Sequence, residues 1–133
     1  RTYVRCDREA QPDGMARGIH PAVGASAAAR WPALHLLYRS IDEMAGTLDK
    51  TKLREGLRRT ATRTLADLKT FRVPTLLIAG GEDTVFPAFL ASAIATKLPC
   101  GEAEIISDSG HSPYFEQAAT FNARVDAFLA RQR

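Results

Sequence analysis

Two apolar runs, each ending in a glycine turn, constrain this chain more than any other feature. Val73-Pro74-Thr75-Leu76-Leu77-Ile78-Ala79 leads into Gly80-Gly81-Glu82-Asp83 and reaches Pro87. Further on, Ala103-Glu104-Ile105-Ile106 leads into Ser109-Gly110-His111. The first run is continuous rather than alternating, the pattern of a strand buried on both faces of a parallel sheet. Between the runs, Phe86, Leu90, Ile94 and Leu98 recur every fourth residue, which predicts a helix near 87–98. Pro99-Cys100-Gly101 stops it. Strands near 74–79 and 103–107 joined by that helix make one βαβ unit, and the fold class is α/β. A closing helix is predicted near 114–130. Ser112 suits its cap and Pro113 its first turn, and Phe115, Ala118, Phe121, Val125, Phe128 and Leu129 would form its buried face.

Chemistry in an open parallel sheet gathers at the carboxyl ends of the strands. Adjacent strands lie about 4.8 Å apart, so Asp83 and His111 can meet at that edge. An Asp accepting from imidazole Nδ1–H fixes the tautomer and leaves Nε2 free as a general base. Alone, either residue reads as loop furniture: Asp suits glycine turns, and a Gly-His pair suits a surface loop. The pairing on successive buried strands is what singles them out. His20 and His35 have no such partner pattern, and His35 lies on a helical segment as a structural residue.

These residues resemble a known family. The apolar strand after Pro74, then Gly80-x-x-Asp83-x-x-x-Pro87, then Gly110-His111 with Glu116 five positions on, is similar to the C-terminal part of α/β-hydrolase-fold enzymes. The resemblance covers residues 73–130 and is vague before them. It implies that Asp83 is the acid and His111 the histidine of a nucleophile–histidine–acid triad. It implies a partial α/β-hydrolase fold, with the last parallel strands, their flanking helices and a lid-like helical segment before them. Glu116 matches an acidic position early in the last helix and reads as structural. The chain departs from the pattern at Gln117-Ala118-Ala119, where a proline is usual, which touches packing and not chemistry. Glu82 and Asp108 are carboxylates off the matching position.

No G-x-S-x-G nucleophile turn exists in the chain. Its nearest approach is Gly24-Ala25-Ser26-Ala27-Ala28, which makes Ser26 the one candidate nucleophile. The segment before it, with Gly18 and Pro21, is a poor buried strand. The rival for Ser26 is a cap on an Ala-rich helix. The expectation is therefore a chain lacking its nucleophile half and inactive alone. Residues 1–48 then read as an irregular or lid-like helical segment with a possible strand at 2–6, and 49–133 as core. If Thr2–Cys6 is a strand, Asp7 after it is a second acid candidate. One helix is predicted from Pro32 to about Leu48 and another from Thr51 to Phe71, the latter with Leu53, Leu57, Ala61, Leu65, Leu68 and Phe71 as its apolar stripe. Trp31, Leu34, Leu37 and Tyr38 form a stripe that fits a core better than a substrate pocket.

Bulk properties narrow the function classes. A chain of 133 residues suits one domain, and 45% hydrophobic with 25% charged residues is a globular composition. No apolar run is long enough to cross a bilayer. The net charge of +3 gathers around Arg54, Arg58, Arg59, Arg63 and Lys69 with no aromatic interleaving, a solvated helix face rather than a nucleic-acid surface. Cys6 and Cys100 fit no metal spacing and read as free thiols in a reducing, cytoplasmic compartment. Neither cofactor nor metal is implied. The resemblance implies a small-molecule substrate, an ester or related acyl compound, and neither a membrane nor a nucleic-acid partner is expected. The rival function is a non-catalytic α/β-hydrolase-like binding module, and a further one is a small α/β domain binding a ligand at the same strand ends.

Overall fold

The structure, a computed structural model, describes residues 18–46, 49–62, 64 and 66–132. The possible strand at Thr2–Cys6 and the second acid candidate Asp7 lie outside the described residues. Strand β1 (Thr75–Gly80) pairs in parallel with β2 (Gly101–Ile106), Thr75 opposite Gly101 and Gly80 opposite Ile106. The six helices are α1 (Ala25–Arg30), α2 (Pro32–Met44), α3 (Lys50–Thr60), α4 (Ala88–Ala95), α5 (Pro113–Glu116) and α6 (Ala118–Ala130), with a 3-10 turn at Asp67–Thr70. The predicted βαβ unit is present: β1, α4, β2, with α4 packed on both strands. Ala91 and Ala95 are the buried positions of α4, one helical turn apart, and Leu98 is buried in the turn after it, so the helix predicted to residue 98 ends at Ala95. α6 also contacts both strands.

The core is built from small side chains. Its buried apolar members are Ala22, Val23, Ala27, Ala28, Ala79, Ala91, Ala95, Leu98 and Ile106. β2 is an edge among the described residues. Its Glu102 pairs with Arg131 and its Glu104 lies 3.9 Å from Arg124, charged pairs that blunt an open edge.

Several helical expectations are corrected. The helix predicted over 51–71 ends at Thr60, and residues 67–70 form only a short 3-10 turn. Leu53 and Leu57 are exposed, so the proposed apolar stripe packs on nothing there. The physical reason is visible in composition: α3 reads Lys-Thr-Lys-Leu-Arg-Glu-Gly-Leu-Arg-Arg-Thr, too few apolar residues to bury a face, and is held locally by Asp49 accepting from the N–H of Thr51 and Lys52. α2 ends at Met44, short of Leu48, and its stripe does not make a core: Trp31, Leu37, Ile41 and Met44 are exposed. Its inward positions are Leu34, His35, Tyr38 and Asp42. The closing helix is two pieces. Gln117 leaves helical geometry at φ −136° and ψ 55°, because its side-chain amide donates to the carbonyls of Ser107 and Asp108. Phe115, Phe121, Val125 and Phe128 are partly buried as predicted, whereas Ala118 and Leu129 are exposed.

Candidate active site

The parallel pairing does not stop where the strands do. The N–H of Gly81 donates to Ile106 O at 2.8 Å, and that of Glu82 donates to Ser109 O at 2.8 Å. The two turns are zipped together just past the sheet, which carries Asp83 and His111 side by side. This closeness needs glycine. A Cβ on Gly80 would stand 2.0 Å from Gly110 O, and one on Gly110 would stand 2.4 Å from Gly24 N. Both approaches lie far inside contact distance, so the glycines of the two motifs serve the packing of one turn on another.

Asp83 is buried and His111 is half open. The carboxylate is 3% exposed and the imidazole 44%. Asp83 Oδ1 accepts the N–H groups of Val85 and Phe86, each at 2.8 Å, which sets the plane of the carboxylate. Its Oδ2 lies 2.9 Å from His111 Nδ1. With an ionised carboxylate and a neutral ring the proton of that bond sits on Nδ1, leaving Nε2 unprotonated and with no hydrogen-bond partner among the described residues. The structure thus brings together the acid and histidine positions expected from the sequence.

Glu116 organises the backbone on both sides of His111. It is 5% exposed. Its Oε2 accepts the N–H of Gly110 and of Gly24 at 2.9 Å each, and Oε1 accepts that of Ser112 at 3.1 Å. Three buried donors from two separate segments converge on one carboxylate, which agrees with its expected structural role. The second segment is a strap, residues 20–24. Ala22 O accepts the His111 N–H at 3.1 Å, and Pro21 O accepts the Thr84 hydroxyl at 3.3 Å. Nothing in the sequence pattern pointed to this strap. Its one signal was Gly24, where a Cβ would lie 2.8 Å from both Gly110 N and Glu82 Oε2.

The other candidates fall elsewhere. Ser26 is the second residue of α1, and no strand precedes it among the described residues. Its hydroxyl donates to Glu82 Oε1 and its N–H donates to Glu82 Oε2 at 2.9 Å, so it meets Glu82 and not His111. Nor is Ser26 the helix cap: Gly24 holds that place, and the Glu82 carboxylate does the capping from another part of the chain. Asp108 sits exposed in the turn after β2 with φ 54°, a conformation Asp tolerates better than most residues, and does not pair with His111. His20 and His35 meet each other rather than the strand ends: the His20 N–H donates to His35 Nε2 at 3.1 Å. A cleft of about 740 Å³ opens between α1, α2 and the start of α6, with Ser26, Trp31, Leu34, Asp108 and Gln117 in its wall. Asp83 and His111 do not line it. Among the described residues no group of three or more His, Cys, Asp or Glu could hold a metal ion, and no helix is long and apolar enough to cross a membrane.

A buried acid and an open imidazole thus stand at successive parallel strand ends joined by a helical crossover, an arrangement that an α/β-hydrolase fold accommodates. The chain matches the model of the Alpha/beta hydrolase family over residues 6–124, and it belongs to that family. Two solved structures share its fold. One is described as a candidate non-heme bromoperoxidase, BpoC, from Mycobacterium tuberculosis H37Rv, with 23% identity and a TM-score of 0.70 over 91% of this chain. The other is Rv0554 from Mycobacterium tuberculosis, with 24% identity and a TM-score of 0.68 over 90% of this chain. The chain spans 45% and 44% of those two structures, consistent with a partial α/β-hydrolase fold. No curated protein sequence matches it significantly.

Proposed function

We propose that Asp83 and His111 are the acid and base of a nucleophile–histidine–acid relay in a hydrolase acting on an ester or related small acyl compound. The observation that carries this reading is the 2.9 Å contact between a 3%-exposed carboxylate and Nδ1 of an imidazole that is 44% exposed. In such a relay Nε2 takes the proton of a hydroxyl or equivalent nucleophile as it attacks the acyl carbon. The imidazolium then protonates the leaving group, and a water deprotonated by the same nitrogen releases the acyl group from its covalent intermediate. Asp83 holds the ring and stabilises the imidazolium without taking the proton. The nucleophile and oxyanion donors, on this reading, come from a part of the protein outside this sequence. Support comes from Ser26, whose hydroxyl is engaged by Glu82, and from the 45% share of the related fold that the chain spans. A reducing, cytoplasmic setting is part of the same reading, supported by Cys100, an exposed free thiol.

Hydrolysis of a simple aryl ester tests this. The 133-residue chain is expected to show no turnover. Turnover that disappears in Ser26→Ala would place the nucleophile in this chain and overturn that part of the reading. In the protein encoded by the complete reading frame, Asp83→Asn is expected to lower kcat by roughly 10⁴, through the wrong imidazole tautomer. An Asp83→Asn enzyme with undiminished kcat would remove the relay altogether. A complete protein without turnover or a G-x-S-x-G turn would favour the binding module instead.

A further inference from the structure

We propose that His20 and His35 are positioning residues for His111, forming a two-histidine strut that holds the strap against the His111 turn only while both imidazoles are neutral. The inference rests on the acid–base reading only for its functional consequence. Its geometry stands apart from that reading.

The strut is a run of three hydrogen bonds that ends on the candidate base. The His20 N–H donates to His35 Nε2 at 3.1 Å. The Ala22 N–H donates to His20 Nδ1 at 3.1 Å. Ala22 O then accepts the His111 N–H at 3.1 Å. Each imidazole acts as an acceptor toward a backbone N–H, and a nitrogen that accepts cannot carry a proton. His35 is therefore the Nδ1–H tautomer and His20 the Nε2–H tautomer. The latter fits its second contact, since His20 Nε2 lies 3.2 Å from Asp42 Oδ2. Protonating either ring would set a ring N–H against the backbone N–H it now accepts.

The groups around the two rings separate their behaviour. His20 has the Asp42 carboxylate beside it and the Tyr38 ring at 4.9 Å. Tyr38 in turn shares a hydrogen bond of 3.1 Å with Ser112 Oγ, tying α2 to the residue after His111. His35 faces His20 and Arg39, and Arg39 lies 3.7 Å from Glu43 on the outer side of α2. Burial, then the Arg39 guanidinium, then His20 hold His35 below its ordinary value of 6.5. The sign follows from that direction. Above the ordinary value His35 is neutral whether folded or not, and the strut is intact. As pH falls through the lowered value of the folded state, proton uptake favours an open strut, and the bond is lost.

Amide exchange and imidazole nitrogen NMR on the purified protein test this between about pH 7.5 and 5. The His20, Ala22 and His111 amides are expected to lose protection, relative to their intrinsic rates, in step with the titration of His35. Amides of β1 and β2 are expected to keep theirs. His35→Gln offers an oxygen near the place of Nε2 that accepts but does not titrate, and should keep the His20 amide protected at pH 5. His20→Asn does the same for Nδ1 and should keep the Ala22 amide protected, which tests the second bond by itself should His35→Gln fail to fold. Protection that persists while His35 titrates in the wild-type protein overturns the strut, as does equal loss at the His20 amide in a folded His35→Gln. A failed acid–base reading would show separately, as ester turnover indifferent to Asp83, with the amide result unchanged.

Discussion

At the scale of single residues, the site depends on polar groups buried with their partners. Glu116 is the clearest case. Glu116→Gln replaces one acceptor oxygen with an NH₂ donor, so at least one of the Gly24, Gly110 and Ser112 N–H groups must face another donor. Leaving such a buried N–H unpaired costs about 1–3 kcal/mol. Urea unfolding of Glu116→Gln should show that loss, together with an altered His111 environment. Gly110→Ala forces a methyl against Gly24 N, and overpacking of this kind costs about 1–3 kcal/mol where backbone cannot yield. Ser109 predicts the opposite sign. Its hydroxyl is fully buried with no hydrogen-bond partner among the described residues. Ser109→Ala removes an unsatisfied polar group and should raise the unfolding midpoint, by roughly 1 kcal/mol in stability. A lower midpoint would mean that Ser109 Oγ has a partner, such as an ordered water.

Among the elements, the βαβ unit and the helix before it differ in what holds them. β1, α4 and β2 share backbone pairing and buried alanines, whereas every described side chain of α3 is exposed. A helix of 11 residues with no buried face has only its propensity and its cap. Asp49→Ala should therefore remove about 1 kcal/mol from that helix and almost nothing from the rest. Hydrogen exchange checks it: amides over Lys50–Thr60 exchange faster in the variant, and those of Thr75–Gly80 are unchanged. Periodicity was a good guide where residues pack on the sheet, as for Leu90, Ile94 and Leu98, and a poor one where they do not. In α2 the spacing of Leu37, Ile41 and Met44 is helical, yet that face is open and the inward face carries His35, Tyr38 and Asp42. A helical repeat reports which residues share a face. It does not report what covers that face.

For the whole molecule, the balance of surface and core is the distinguishing property. Val23, Leu98, Ile106 and Pro113 are the only buried apolar side chains larger than alanine among the described residues. Against them, Trp31, Leu37, Met44, Phe89, Ile105, Tyr114 and Leu129 are among the exposed large hydrophobic residues. A domain with so little buried apolar volume has little to set against chain entropy. The purified chain is expected to bind a hydrophobic dye in its native state and to associate in a concentration-dependent manner, by dye fluorescence and sedimentation velocity. A monodisperse, dye-silent monomer would show that this surface is better covered than the fold implies.

The sequence by itself determined the local grammar: a continuous apolar strand, a glycine turn with Asp83, a helical crossover, a second strand and a turn with His111. Those features follow from backbone sterics and burial periodicity, which act within a few residues of each other. It also placed Asp83 and His111 at the same edge of the sheet, because two parallel strands joined by one helix end on the same side; that they pair is seen in the structure. Tertiary structure alone decided the rest. That Glu82 would claim Ser26, that Glu116 would gather three N–H groups, and that the strap at residues 20–24 would brace His111 through two histidines depend on segments far apart in the chain. Hydrogen-bond partners are chosen by which donors and acceptors the packing leaves together without water. No local pattern encodes that choice.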